Sequence, residues 1–237
     1  MTDVNRLQSE FQRLYLPAGG DPDGVRAMVI ELTGPADWGA LGPMWRGVQV
    51  DLQLPAPAIA VSGSDGLQLW FSLQMPVTAA RAADFLARLR AHYLPGIAPA
   101  RIRLRPSATD GSPGVPRVPA QSASTGNWSA FVAPDLAPIF ADTPWLDVEP
   151  GVEGQADLLA RLASIKPAAF EAAMHGLQPV SAGPSPADAP PMAPGAGPDV
   201  DPRRFLQQVL NDETVALALR IDAAKALLQA AHPSAQR

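Results

Sequence analysis

Apolar positions along the first 175 residues change period several times, and each change marks an element. Val4, Leu7, Phe11 and Leu14 recur at spacings of three and four, which predicts an amphipathic helix over 3–16. Residues 25–32, VRAMVIEL, predict a strand. Pro35, at a first-turn position, then introduces a helix with Trp38, Leu41, Met44 and Trp45 on one face, weakened at Gly39 and at Gly42-Pro43. Two short apolar runs, 57–62 and 67–73, flank Gly63-Ser64-Asp65-Gly66 and read as a hairpin. Thr78 can cap a helix running to about Tyr93, with Phe85, Leu86, Leu89 and Tyr93 inward. Strict alternation in 100–105, ARIRLR, predicts a strand, as does 127–133, NWSAFVA. A Ser/Pro/Gly loop, 107–123, separates them. Leu158, Leu159, Leu162 and Ile165 suggest one more helix. The expected class is α+β, a mainly antiparallel sheet with helices over one face.

Three regions follow. Residues 1–175 form the α+β domain. Residues 176–200 are rich in Pro, Ala and Gly, hold no aromatic residue and read as a linker, because they bury too little apolar surface to offset chain entropy. Residues 201–237 regain helical periodicity and read as a helical hairpin. Its first helix has Asp201 as cap and Pro202 at its first position, and Asn211-Asp212 breaks it. Val215, Leu219, Ala223, Leu227 and Ala230 stripe the second. Two such helices are too small to be stable alone, so self-association or docking is expected.

Composition removes several chemistries. The chain has 237 residues and no cysteine, which excludes disulfides, thiolate metal ligands and a thiol nucleophile. No apolar run reaches membrane-spanning length, and the N-terminus lacks the pattern of a signal peptide, so a cytoplasmic location is expected. Net charge is −5, so nucleic acid would need a local basic patch. Lysine occurs only at Lys166 and Lys225; with the alanine and proline excess this fits a high-GC bacterial coding bias.

The basic patch is sought in Arg101, Arg103 and Arg105. Period two places all three on one sheet face, with Ile102 and Leu104 on the other. Such a track suits phosphates; alternatively it is a solvated face paired with Asp51 or Glu31. Trp70 and Trp128 could stack on bases or belong to the core. None of His92, His175 and His232 has a metal-ligating neighbour at the right spacing, and no phosphate-loop, dinucleotide or nucleophile-elbow motif occurs. Glu31, Asp51 and Asp65 are the only acids that could converge on magnesium, and the strand supplies just one of them. No catalytic residue and no cofactor are expected.

The order of pieces resembles the archaeo-eukaryotic primase superfamily: a strand ending in an acid, a helix, PAPAIAVSGSDGLQLWFSL, a helix and an arginine-bearing strand. The resemblance covers residues 25 to about 133 and implies an RRM-like catalytic core. Ser62-Gly63 and Gly66 match the family's turn and Trp70 its aromatic position, but Gln68 stands where the family has histidine. Thr33 replaces the second acid of the first motif, and the IRLRP strand has no aspartate. Glutamine carries no charge at any pH, so a catalytic role is not expected. The hairpin then reads as scaffold, with Ser62, Ser64, Asp65 and Gln68 lining an inherited binding surface. The tail, with Phe205, Leu206, Val209, Asn211, Asp212, Leu219, Arg220, Ala223, Ala224, Lys225 and Leu227, is similar to a helical segment of small-terminase-subunit-like phage proteins. Together these imply a non-catalytic, phage- or plasmid-associated accessory protein contacting DNA, RNA or replication and packaging proteins. The alternatives are a protein-interaction module without nucleic acid, or a metal-dependent nucleotidyl-transfer enzyme.

Overall fold

The computed structural model describes residues 3–17, 24–107 and 116–177, so most of the linker and all of the C-terminal hairpin expected above lie outside the described residues. The elements run α1 (Asp3–Tyr15), β1 (Gly24–Thr33), α2 (Trp38–Val50), β2 (Ala58–Val61), β3 (Gly66–Thr78) and α3 (Ala79–Tyr93). Then come β4 (Ile102–Arg105), β5 (Ala120–Gln121), β6 (Trp128–Val132), α4 (Val152–Ala160) and α5 (Pro167–Gly176). The strands form one sheet in the order β4-β1-β3-β2-β6-β5, with every neighbouring pair antiparallel. The class is α+β. From β1 to β4 the connectivity is β-α-β-β-α-β, in which each helix carries the chain over one strand to the next but one, the split βαβ arrangement.

Alternation along the strands sorts side chains into two layers. Met28, Ile30 and Leu32 of β1 share one face with Leu67, Leu69, Phe71 and Leu73 of β3, and α2, α3 and α5 cover them. Ala27 and Val29, Ala58 and Ala60, Trp70 and Phe131 point the other way, beneath Leu14 and Tyr15 of α1 and Leu159 of α4. Helices therefore cover both faces rather than the one expected. Leu14 is fully buried and Leu7 and Phe11 pack beside it, so the apolar stripe of α1 needs a sheet face of its own.

Helix starts follow cap chemistry. Thr78 accepts a hydrogen bond from the N–H of Arg81, as its position before α3 predicts. Asp37 Oδ1 accepts from the N–H of Ala40 and caps α2, so Pro35 lies outside that helix instead of in its first turn. The helix runs on through Pro43.

The expected single helix through Ile165 is corrected. The α4 helix ends at Ala160, and Ile165 instead bridges β3. The reason lies in the strands: β2 pairs with β3 only as far as Trp70, so the outer edge of β3 beyond it is open. Ile165 fills that edge, donating to Ser72 O at 2.7 Å and accepting from Gln74 N at 2.9 Å. The chain thereby leaves one face and enters α5 on the other. Pro167 at the start of α5, with Phe170, Ala173 and Met174 at helical spacing, is a readable signal for that helix.

Candidate nucleic-acid interface

Of the residues singled out in the sequence, Glu31, Gln68, Trp70, Arg103 and Arg105 share one sheet face. Cross-strand register aligns Arg103 of β4, Glu31 of β1, Gln68 of β3, Ala60 of β2 and Phe131 of β6 in a row. A second row holds Arg105, Val29, Trp70 and Ala58. Glu31, Thr33, Gln68, Ser72 and Ser129 are buried and share this face by strand parity; Gln155 of α4 reaches into it. Among the described residues these six are all the buried polar side chains there are, and the buried side chains of the opposite face are apolar.

Each has an occupation. Trp70 Nε1 donates to Gln68 Oε1 at 2.8 Å. Gln68 thus satisfies an indole N–H that burial would otherwise orphan. Trp70 is itself 1% exposed, edge-to-face against Phe11, Tyr15 and Phe131. That packing leaves Trp70 no free ring face for a base. Trp128 is partly buried and points, by strand parity, to the opposite side of the sheet, so the two tryptophans do not form one stacking platform. Ser72 Oγ donates to Leu14 O at 2.6 Å and lies 2.7 Å from Ser164 Oγ, tying α1 to the sheet. Gln155 receives the N–H of Phe131 on Oε1 and donates to its carbonyl through Nε2, at 2.7 and 2.9 Å, closing the outer edge of β6 beyond short β5 as a strand would. Burial pushes the Tyr15 hydroxyl far above its usual range.

The arginine stripe divides. Arg103 and Arg105 are exposed on the polar face at the edge strand, and Arg103 Nη1 lies 3.9 Å from the buried Glu31 carboxylate. Arg101 is not part of the strand. It sits in a 3-10 turn, Pro99–Arg101, where Nε donates to Thr33 O at 3.1 Å and Nη2 to Pro35 O at 2.6 Å. Its guanidinium is a clamp on the end of β1, which corrects the three-residue track to two.

The glycine hairpin is held internally. Ser62 Oγ accepts from the N–H groups of Ser64 and Gly66 and lies 3.1 Å from Ser64 Oγ. The N–H of Gly63 goes to Pro144 O, and Asp65 O accepts from Gly34 N. A loop that cradles phosphate needs free N–H donors, and these are occupied. Gly63 is required, and Gly66 sits against the Glu31 side chain. Gly63 has φ +80°, and a Cβ there would lie 2.9 Å from Ser129 N. A Cβ on Gly66 would lie 2.8 Å from Glu31 Oε1.

The three acids weighed as magnesium ligands are dispersed. Glu31 lies on the polar face and Asp65 in the turn, where Ser64 Oγ donates to it. Asp51 ends α2, on the apolar side, and accepts from Tyr93 Oη at 3.1 Å. Burial and the Asp51 carboxylate push the Tyr93 hydroxyl up to about 12. Among the described residues no three His, Asp or Glu side chains gather as a metal site would require. No helix among them is long and apolar enough to cross a membrane. No protein-family model and no curated protein matches the chain.

Proposed function

We propose that the chain is a non-catalytic accessory protein that contacts nucleic acid at the β4 edge of the polar sheet face, in a bacterial phage or plasmid setting. The observation that carries this reading is the pair Arg103 and Arg105, exposed two residues apart on the strand that edges the face holding the buried polar side chains. Two arginines whose backbone positions lie about 7 Å apart by strand rise can reach successive phosphates along a strand. The β-α-β-β-α-β connectivity agrees with the RRM-like core that the hairpin resemblance implies. The dispersal of Glu31, Asp51 and Asp65 and the use of Gln68 as an indole acceptor favour binding over nucleotidyl transfer.

A protein-interaction module is the second reading. It is favoured by the closure of Trp70 and Arg101, which leaves two exposed arginines on this face in a chain of net charge −5.

The test is fluorescence anisotropy on the full chain with labelled single-stranded DNA, duplex DNA and single-stranded RNA at low salt. Wild type binds at least one of them, and Arg103→Ala with Arg105→Ala weakens binding by roughly tenfold or more. Absence of affinity for all three at low salt abandons the nucleic-acid reading in favour of the second.

A further inference from the structure

The acids of the molecule are unevenly employed. Outside residues 135–149, each acid whose side chain is described has a partner. Glu10, Glu31, Asp84, Glu153, Asp157 and Glu171 pair with arginines. Asp37 caps α2, Asp51 accepts from Tyr93 and Asp65 from Ser64. Inside that segment Asp135, Asp142, Asp147 and Glu149 are all exposed, and none makes an ion pair or side-chain hydrogen bond with a described residue. The sequence between Arg117 and Arg161 contains no lysine or arginine to neutralise them.

The same segment exposes apolar surface. Leu136, Ile139 and Val148 are 46%, 68% and 71% exposed, three of the six large hydrophobic side chains exposed among the described residues. Leu136 precedes the 3-10 turn Ala137–Ala141, and Asp142 follows it. In such a turn residues three apart lie above one another, so Leu136, Ile139 and Asp142 line one side. The turn is not loose: Ala137 and Phe140 pack into the apolar core, and Leu146 pairs with Trp128 through both backbone groups. The packed turn therefore presents leucine and isoleucine side chains on the same side as the unpaired Asp142 carboxylate.

We infer that this segment is a docking surface for a basic amphipathic helix of a protein partner. Apolar side chains of such a helix would cover Leu136 and Ile139, and its lysines or arginines would meet Asp142, Asp147 and Glu149. The occupant follows from charge complementarity, and the surface does not depend on the nucleic-acid reading. It lies in the segment that follows β6, whereas Arg103 and Arg105 stand on β4, at the opposite edge of the sheet.

The experiment is calorimetric titration of the full chain with a designed helical peptide of leucine and lysine, and with its leucine and glutamate counterpart. The basic peptide binds saturably and the acidic one does not. Leu136→Ser with Ile139→Ser raises the dissociation constant roughly tenfold, and Asp142→Asn with Asp147→Asn and Glu149→Gln does the same. All five positions are exposed, so the fold is retained, and matching thermal unfolding of the variants checks this. Three results overturn the inference: no binding of the basic peptide, affinity unaffected by the leucine and isoleucine changes, or self-association that those two changes dissolve.

Discussion

The two faces of the sheet are built by different rules. One is a dry layer in which β1 and β3 meet α2, α3 and α5 through buried side chains that are all apolar. The other is an aromatic box under α1 and α4, flanked by every buried polar side chain among the described residues. A dry face is held by area and packing, so neighbouring apolar residues can exchange at modest cost. The polar face is held by pairs: Trp70 with Gln68, Phe131 with Gln155, Ser72 with Leu14 and Glu31 with Arg103. Losing one member of such a pair leaves the other buried without a partner, which costs more than the bond contributed. Specific geometry resides on the second face.

The contrast is broken most severely at Trp70. Trp70→Ala removes the centre of the aromatic box and should cost about 3–5 kcal/mol in urea unfolding. On the dry face Leu69→Met should cost under about 1.5 kcal/mol, although Leu69 is fully buried beside it. Gln155→Leu has similar volume and keeps apolar contact, yet strands the N–H and carbonyl of Phe131. We expect a loss of about 2–3 kcal/mol and faster amide exchange at Phe131. Gln68→Leu orphans the indole N–H alone and should cost about 1–2 kcal/mol, with a shifted Trp70 fluorescence maximum.

The smallest effect is spectroscopic. The chain has two tyrosines, Tyr15 against the polar face and Tyr93 against the apolar side. Both hydroxyls have raised pKa values in the folded state. Stability from a raised pKa is present below the unfolded value near 10 and is lost as pH rises through the folded value. For Tyr93 that window runs from about 10 to about 12. Absorbance at the tyrosinate band should therefore stay flat at pH 10 in folded protein, gain Tyr93 near 12 and gain Tyr15 only on unfolding. In denaturant both should titrate near 10. Replacing Asp51 by asparagine should lower the Tyr93 step and leave Tyr15 unmoved.

Much of this architecture is written in periodicity. The runs VRAMVIEL and GLQLWFSL are paired neighbours, the hairpin turns where its glycines stand, and Thr78 caps the helix it precedes. What periodicity misreads are side chains whose partner is a distant backbone. Arg101 alternates correctly with Arg103 and Arg105, but its guanidinium is taken by Thr33 O and Pro35 O. Arg26 likewise donates to Leu73, Leu16 and Arg13 carbonyls, and Arg13 to those of Leu159 and Leu162. The planar fork of arginine reaches several carbonyls at once, so in a lysine-poor chain positive charge counts structural clamps as well as binding groups. Ile165 escapes periodicity for a related reason, since only the unequal lengths of β2 and β3 create the open edge it fills. At the hairpin, the sequence shows a glutamine two residues before a tryptophan; only the fold shows Gln68 accepting from the Trp70 indole.

The direct test of the polar face as a nucleic-acid contact is the salt dependence of binding. Dissociation constants for a labelled single strand are measured from low to physiological salt, for wild type and for Arg103→Ala with Arg105→Ala. If the two guanidinium groups meet phosphates, the slope of log affinity against log salt should fall by about 1.4, roughly 0.7 for each phosphate that is no longer neutralised. Equal slopes in the two proteins would mean that any binding lies elsewhere, and would contradict the assignment of this face.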